Sequence, residues 1–257
     1  PKLWAHEAVF TREGDIAQLS NKNKLAFVVA ATCNYAQYDD PLDQSSGEVL
    51  IAMEQGGSIG VVTASREVYS DQNSTLNNTL YTYLLQRDSL GQPVRVGDAM
   101  WQTKQDLTDV NDRKYHLFAD PTMRLNMPRA NASIDSVNGS STTQVVAMKS
   151  LGRATVKGNV KRQDGSAWTT FNGRGVIEVL DSKRQVIVKE LSWGGFTFEV
   201  NGSLLYRGEI SITNGSFQSI FPLPKDVSCG ARSRISLYAW SDSTDAVGVT
   251  DNVTIAG

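Results

Sequence analysis

Few residues in this chain have the chemistry of an active site. There are two cysteines and two histidines in 257 residues. Cys33 closes the apolar run LAFVVAAT and opens the polar loop Asn34-Tyr35-Ala36-Gln37-Tyr38-Asp39-Asp40-Pro41. A thiol there admits two readings. It is a nucleophile if a base or a positive field generates the thiolate, and otherwise it is a small buried hydrophobe. His116 lies inside the apolar run YHLF and reads as a packed core or interface residue, while His6 is the remaining candidate base. Asp39, Asp40 and Asp43 follow the thiol as solvated loop charges or, less simply, as oxygen ligands for calcium. Glu48 reads as the closing residue of a capping box, with orientation of a substrate amine as the alternative. Cys229, in PKDVSCGA, reads as an unpaired loop thiol.

The elements that must hold Cys33 are those of an α/β unit. Leu25 to Thr32 is an uninterrupted apolar run, the pattern of a strand covered on both faces of a parallel sheet. Asp15 caps a short helical turn. Ser45-Ser46-Gly47-Glu48 opens a helix that stops at Gly56-Gly57. Ser58 to Ala64 is a second buried strand, and 71–87 and 96–107 are helices by period, with Trp101 expected on the apolar face of the latter. Tyr115 to Phe118 is a last strand, ended by Asp120-Pro121. In parallel sheets the loops at the carboxyl ends of strands form the cleft. Cys33 stands at one such end and the segment Ser65-Arg66-Glu67-Val68-Tyr69-Ser70 at the next. Tyr35 and Gln37 either line a pocket or cover the sheet edge.

After Asn126-Met127-Pro128-Arg129-Ala130-Asn131, which reads as a linker, only short alternating runs remain. Asp164-Gly165, Asn172-Gly173, Asn201-Gly202 and Asn214-Gly215 separate several of them. This spacing predicts a β-sandwich of about seven or eight strands. The boundary therefore falls at residue 128. Asn-x-Ser/Thr triplets at Asn73, Asn138, Asn214 and Asn252 read as turn and strand chemistry.

The net charge of −2 offers no electrostatic case for nucleic acid. No apolar run approaches the ~20 residues of a membrane-spanning helix. The chain opens at Pro1, from which a fragment or processed product is expected.

The ordered set Trp4-Ala5-His6-Glu7, LAFVVAATC, AQYDDP, SSGEVLI, GGSIGVVTASREVYS and YHLFADPTMRLNMP resembles the gingipain family of cysteine peptidases. With FNGRGVIEVLDSKR, LYRGEISITNGSFQSIFPLPKDV and ISLYAWSDSTDAVGVTDNVTIAG, the likeness is to the type IX secretion sortase branch, found in the Bacteroidetes. It implies an α/β caspase-like half-domain with a parallel sheet over residues 1–128. An all-β immunoglobulin-like sandwich follows over 129–257. It implies Cys33 as nucleophile, and Thr63, Ala64 and Ser65, with Tyr35 and Gln37, as walls of the substrate pocket.

The family's base is the histidine of a Gly-His-Gly motif that does not occur in this sequence. Its place falls just before the segment matching Trp4 to Glu7. His6 lies past that position and reads as a cleft-side or packing residue. The implied protein cleaves, and can transfer, the C-terminal signals of secreted cargo at the cell surface or outer membrane, without cofactor or metal. Its partners are the cargo, an N-terminal half of the same protein and outer-membrane secretion components, with no nucleic acid. The isolated chain is expected to be inactive. The reading of a different class is a catalytically silent caspase-like scaffold on the surface or in a secretion complex.

Overall fold

The computed structural model describes residues 3–4, 10–189, 195–228 and 230–256. His6, Cys229 and most of the Trp4-Ala5-His6-Glu7 segment lie outside the described residues. The chain divides into two compact units, Pro1–Met127 and Pro128–Gly257.

The first unit opens with a small antiparallel pair, β1 (Leu3–Trp4) and β2 (Phe10–Thr11). A 3₁₀ turn follows at Ile16–Gln18. Asp15 precedes it, but its carboxylate turns back to accept the N–H and hydroxyl of Thr11 at 2.7 and 2.8 Å. The central sheet is β3 (Ala26–Ala30), β4 (Ser58–Ala64) and β5 (Tyr115–Phe118). β3 runs parallel to β4, as the apolar runs predict, whereas β5 is antiparallel to β4. The sheet is thus mixed, where an all-parallel one was expected. β5 follows a helical return rather than a full crossover, and period alone carries no information about strand direction.

Helices cover both faces. α1 (Ser46–Ala52) starts with the expected capping box. The N–H and hydroxyl of Ser45 donate to the Glu48 carboxylate at 2.8 and 2.6 Å. α2 (Ser70–Leu84) buries Asn73, Leu76, Leu80 and Leu84 on one stripe. α3 (Val96–Asp106) buries Val96, Ala99, Met100 and Thr103. Trp101 is a correction: it is 58% exposed, because the buried stripe of α3 is Val96, Ala99, Met100 and Thr103 and position 101 falls outside it. α4 (Val110–Arg113) is a single turn that the period did not reveal. Leu76, Leu80, Leu84, Ala99 and Met100 pack with Val62 and Ala64, while Ile16, Leu50 and Tyr35 pack with Val61 and Ala30. Successive β4 residues therefore feed opposite cores, which is why Val61 and Val62 are both apolar and buried. Gly57 lets the chain enter β4 at φ +98°, and a Cβ there would meet the Leu50 carbonyl oxygen at 2.1 Å.

The second unit contains β6 (Ala130–Val137), β7 (Ser140–Ser141), β8 (Val146–Lys149), β9 (Arg153–Lys161), β10 (Gly173–Leu180), β11 (Arg184–Val188), β12 (Phe196–Val200), β13 (Leu204–Thr213), β14 (Ser216–Pro222), β15 (Gly230–Trp240) and β16 (Asp245–Ala256). Seven of them form a ring in the order β6-β9-β14-β13-β10-β15-β16, closed by parallel pairing of β16 with β6. The expectation of two facing sheets is corrected to a closed seven-stranded barrel. Turn spacing counts strands but cannot register the long-range parallel contact that joins first to last. Closure removes the free edges of the seven strands. The interior holds Val156, Ile177, Val179, Phe221, Ile235, Leu237 and Val253, among others. Tyr206 stacks on Phe221 at 4.4 Å.

Asn214-Gly215 makes the expected two-residue hairpin turn, with φ of +50° and +75° between β13 and β14. Asn172-Gly173 does not, since Gly173 already opens β10. Asn73 lies buried in α2 and Asn138 occupies a left-handed turn position.

Candidate active site

β3 ends at Ala30, and the next residues form a turn in which Cys33 is half-buried. Asn34 takes a left-handed φ of +53°, which reverses the chain directly after the thiol. Three backbone hydrogen bonds bind this turn to its surroundings. The Asn34 N–H donates to Arg66 O at 3.1 Å, the Ala36 N–H to Ala64 O at 3.2 Å, and the Gly47 N–H to Tyr35 O at 2.8 Å.

The sulfur lies against the loop after β4. The Val68 N–H donates to Cys33 Sγ at 3.3 Å, and the thiol donates to the Val68 carbonyl at 3.3 Å. α2 begins two residues later, at Ser70. The two strand-end loops are also joined across their exposed side by Arg66 and Asp39, Nη1 to Oδ1 at 2.9 Å. The guanidinium holds the Asp39 carboxyl below its usual range.

The β4–α2 loop is held from behind by the segment around α4. The Asn111 side-chain oxygen Oδ1 accepts the Tyr69 N–H at 2.8 Å, and its side-chain Nδ2 donates to Asn73 Oδ1 at 3.2 Å. Lys114 Nζ donates to Glu67 O at 2.7 Å and lies 5.9 Å from the Tyr69 ring centroid. Lys104 donates to the Asp112 carbonyl, and burial pushes the Lys104 amine down to about 8. Tyr115 is buried with its hydroxyl without a hydrogen-bond partner among the described residues. Burial, with the charges of Cys33 and Asp112 secondary, pushes its phenol up.

Of the expected pocket residues, several are structural instead. Tyr35 is wholly buried between Ile16, Ala30, Leu50 and Val61, and burial pushes its phenol up to about 12. Ala64 is core. Thr63 is buried and donates its hydroxyl to Ala30 O at 2.7 Å, tying β4 to β3. Ser65 is nearly buried and donates its N–H to Lys114 O at 2.9 Å. The physical reason is common to all four. The strand-end residues are still inside the sheet's packing, and solvent begins two or three residues later, at Arg66, Glu67 and Tyr69 on one loop and Gln37 and Tyr38 on the other.

His116 is half-buried on β5, opposite Thr63, in an edge-on cluster with Tyr38 at 5.5 Å and Phe118 at 6.2 Å. Burial, then the charges of Lys104 and Arg66, lower its pKa. Asp43 binds Arg12 at 2.8 Å, and Asp40 accepts the Leu42 N–H at 2.9 Å. Together with the Arg66 contact of Asp39, these bonds send the three loop carboxylates in separate directions. Among the described residues no cluster of three or more His, Cys, Asp or Glu is placed to hold a metal. Val68 and Asn111, which position the sulfur and its loop, were not legible as site residues. The only signal was that 65–70 follows a strand end.

Residues 1–126 match the model of peptidase family C25. Over that segment, just under half of the chain, the sequence matches the gingipain family of cysteine peptidases. Among solved structures, dimeric latent PorU from Porphyromonas gingivalis aligns with a TM-score of 0.50 and 24% identity. The match covers 80% of this chain and 20% of the PorU chain. A further structure, of a protease, aligns over 97% of this chain and 52% of its own at 12% identity and a TM-score of 0.41. Spo0M, a sporulation control protein from Bacillus subtilis, aligns over 51% of both chains at 10% identity and a TM-score of 0.30. No curated protein matches the chain. The likeness to PorU concerns the fold, and the C25 segment carries the half-buried Cys33 at the end of its parallel strand pair. No helix among the described residues is long and apolar enough to cross a membrane.

Proposed function

We propose that this chain is the nucleophile-bearing part of a gingipain-like cysteine peptidase of the type IX secretion sortase kind. The observation that carries it is the position of Cys33 within the C25 segment. It lies just beyond the carboxyl end of β3, half-buried, with its sulfur against the Val68 amide. The reading assigns residues 1–128 to the C-terminal part of a caspase-like peptidase domain. Residues 129–257 become an accessory β-barrel domain.

The chemistry follows cysteine acyl transfer. A base takes the Cys33 proton, and Sγ attacks the carbonyl carbon of a peptide bond. Backbone N–H groups, that of Cys33 included, hold the oxyanion. Collapse breaks the C–N bond, the base returns the proton to the departing amine, and a thioester remains. Water or a second amine then resolves it. The substrate is the C-terminal signal of secreted cargo, and the place of action is the cell surface or outer membrane. Gln37, with the exposed Arg66, Glu67 and Tyr69, borders the approach to the sulfur.

Among the described residues no imidazole is bonded to Cys33, and His116 is engaged with Tyr38 and Phe118. The reading takes the base to be the family's Gly-His-Gly histidine, a motif that does not occur in this sequence, and expects the 257-residue chain alone to be inactive. General-base catalysis is worth ~10²–10⁴-fold. The same observation supports the alternative, a catalytically silent scaffold.

The deciding experiment treats two proteins with a peptidyl acyloxymethyl ketone. One is the 257-residue chain. The other is a longer polypeptide carrying the family's Gly-His-Gly histidine ahead of it. Stoichiometric labelling of the longer form at Cys33, abolished by Cys33→Ala and absent from the shorter form, supports the peptidase. No labelling of the longer form leaves the scaffold. Labelling with turnover by the short form overturns the external base.

A further inference from the structure

Alternation along the barrel strands sends Ile177, Val179, Ile235, Leu237 and Ala239 inward. The residues between them face out. Over β10, β15 and β16 that outer face is apolar and aromatic. Tyr238 stands opposite Val176 on one side and Val247 on the other. Val249 and Trp240 extend the patch, and Tyr238, Val247 and Val249 are 48%, 47% and 60% exposed. The Tyr238 and Trp240 rings lie nearly parallel, 27° apart with centroids at 5.9 Å.

A groove of about 420 Å³ runs over these residues, bordered by Glu178, Arg207 and Ser236. Arg207 Nε is 3.4 Å from Glu178 Oε1, and the Tyr238 hydroxyl donates to Asp245 at 3.2 Å.

The occupant can be argued by chemistry. The groove is at the small end of ligand sites, ~300–1,000 Å³. An anion gains nothing, because the guanidinium already faces a carboxylate. A wholly apolar ligand would strip water from Glu178, Arg207 and Ser236 without replacing their hydrogen bonds. What fits is an uncharged ring with an apolar face and a rim of hydroxyls. Its C–H face lies on the aromatic pair, and its hydroxyls donate to Glu178 and accept from Arg207. We propose that the outer face of β10, β15 and β16 is a binding site for a neutral saccharide. This site stands apart from the Cys33 reading and survives its failure.

The test titrates the full 257-residue chain with four neutral hexasaccharides at up to millimolar concentration. These are cellohexaose, maltohexaose, mannohexaose and N-acetylchitohexaose, followed by calorimetry and tryptophan fluorescence. At least one binds. Tyr238→Ala and Trp240→Ala each weaken it by at least about tenfold, and Arg207→Gln weakens it too, all with an unchanged melting temperature. The proposal is overturned if none of the four binds, or if binding survives in the Tyr238→Ala/Trp240→Ala double variant. It is also overturned if the wild-type chain self-associates through this face and the double variant is monomeric. That result would make the patch a protein interface.

Discussion

The backbone N–H of Val68 donates to Sγ of Cys33 across 3.3 Å, joining the loops that follow two parallel strands. The position of the sulfur is therefore set from the β4–α2 loop as much as from its own strand. That loop is in turn anchored by a side chain over forty positions further on, because Asn111 holds the amide of Tyr69, the residue after Val68.

Replacing Asn111 by Ala should release this anchor. The Tyr69 N–H loses its acceptor, and the buried Asn73 Oδ1 loses a donor. An unsatisfied buried group costs about 1–3 kcal/mol. The expected outcome is lower stability by that amount. Hydrogen exchange should accelerate at the Tyr69 amide, measured by exchange mass spectrometry, with the barrel amides unchanged. Unaltered protection at Tyr69 would show that the loop is held by Lys114 and the sulfur contact alone.

His116 gives the first unit a pH dependence of known sign. Its folded pKa is depressed by burial and by Lys104 and Arg66, so the unfolded chain binds the proton more readily. Its contribution is complete above the unfolded value near ~6.5, and it is lost as the pH falls from there through the folded value. Denaturant titrations between neutral and mildly acidic pH should show stability falling with acidification. His116→Gln should flatten that slope. Because the sequence has only two histidines, the imidazole titration is readily assigned by NMR.

Gly57 is a position where a methyl group should be costly. At φ +98° an alanine is strained, and its Cβ would stand 2.1 Å from the Leu50 carbonyl oxygen at the end of α1. With backbone strain and overpacking of ~1–3 kcal/mol each, Gly57→Ala should destabilise the first unit by about 2–6 kcal/mol. The Asn21 side chain brackets residue 57 through both the backbone N–H and C=O of that residue, so the amide at position 57 should lose exchange protection in the same variant.

The barrel should respond separately. Leu237 is 1% exposed in its interior. Leu237→Ala should cost about 2–5 kcal/mol. Spectroscopic unfolding should show the loss in the second unit, with exchange at β3 and β4 unaffected. An equal loss of protection in both units would mean that they unfold together.

Strand and helix order in the first unit was legible because each element is written in nearby residues. Ser58–Ala64 is an uncharged run centred on Ile59, Val61 and Val62, and Ser45 and Glu48 are only three positions apart. The direction of β5 and the single turn of α4 were not legible, since neither leaves a period. Thr63, Ala64 and Tyr35 were misassigned to a pocket for a related reason. Sequence marks where a strand ends, but burial continues for as long as neighbouring layers cover the chain, and those layers come from distant segments.

The amino-acid sequence by itself determined the α/β-then-β order, the change of texture near Pro128, and the thiol at the end of an apolar strand. These depend on local period, turn residues and composition. Tertiary structure alone decided that β16 meets β6 to close a ring, that Val68 touches the sulfur, and that Tyr238 and Trp240 share an exposed face. Each of those is a pairing of register across sheets and loops, fixed by the packing of whole elements and invisible to any short window of residues.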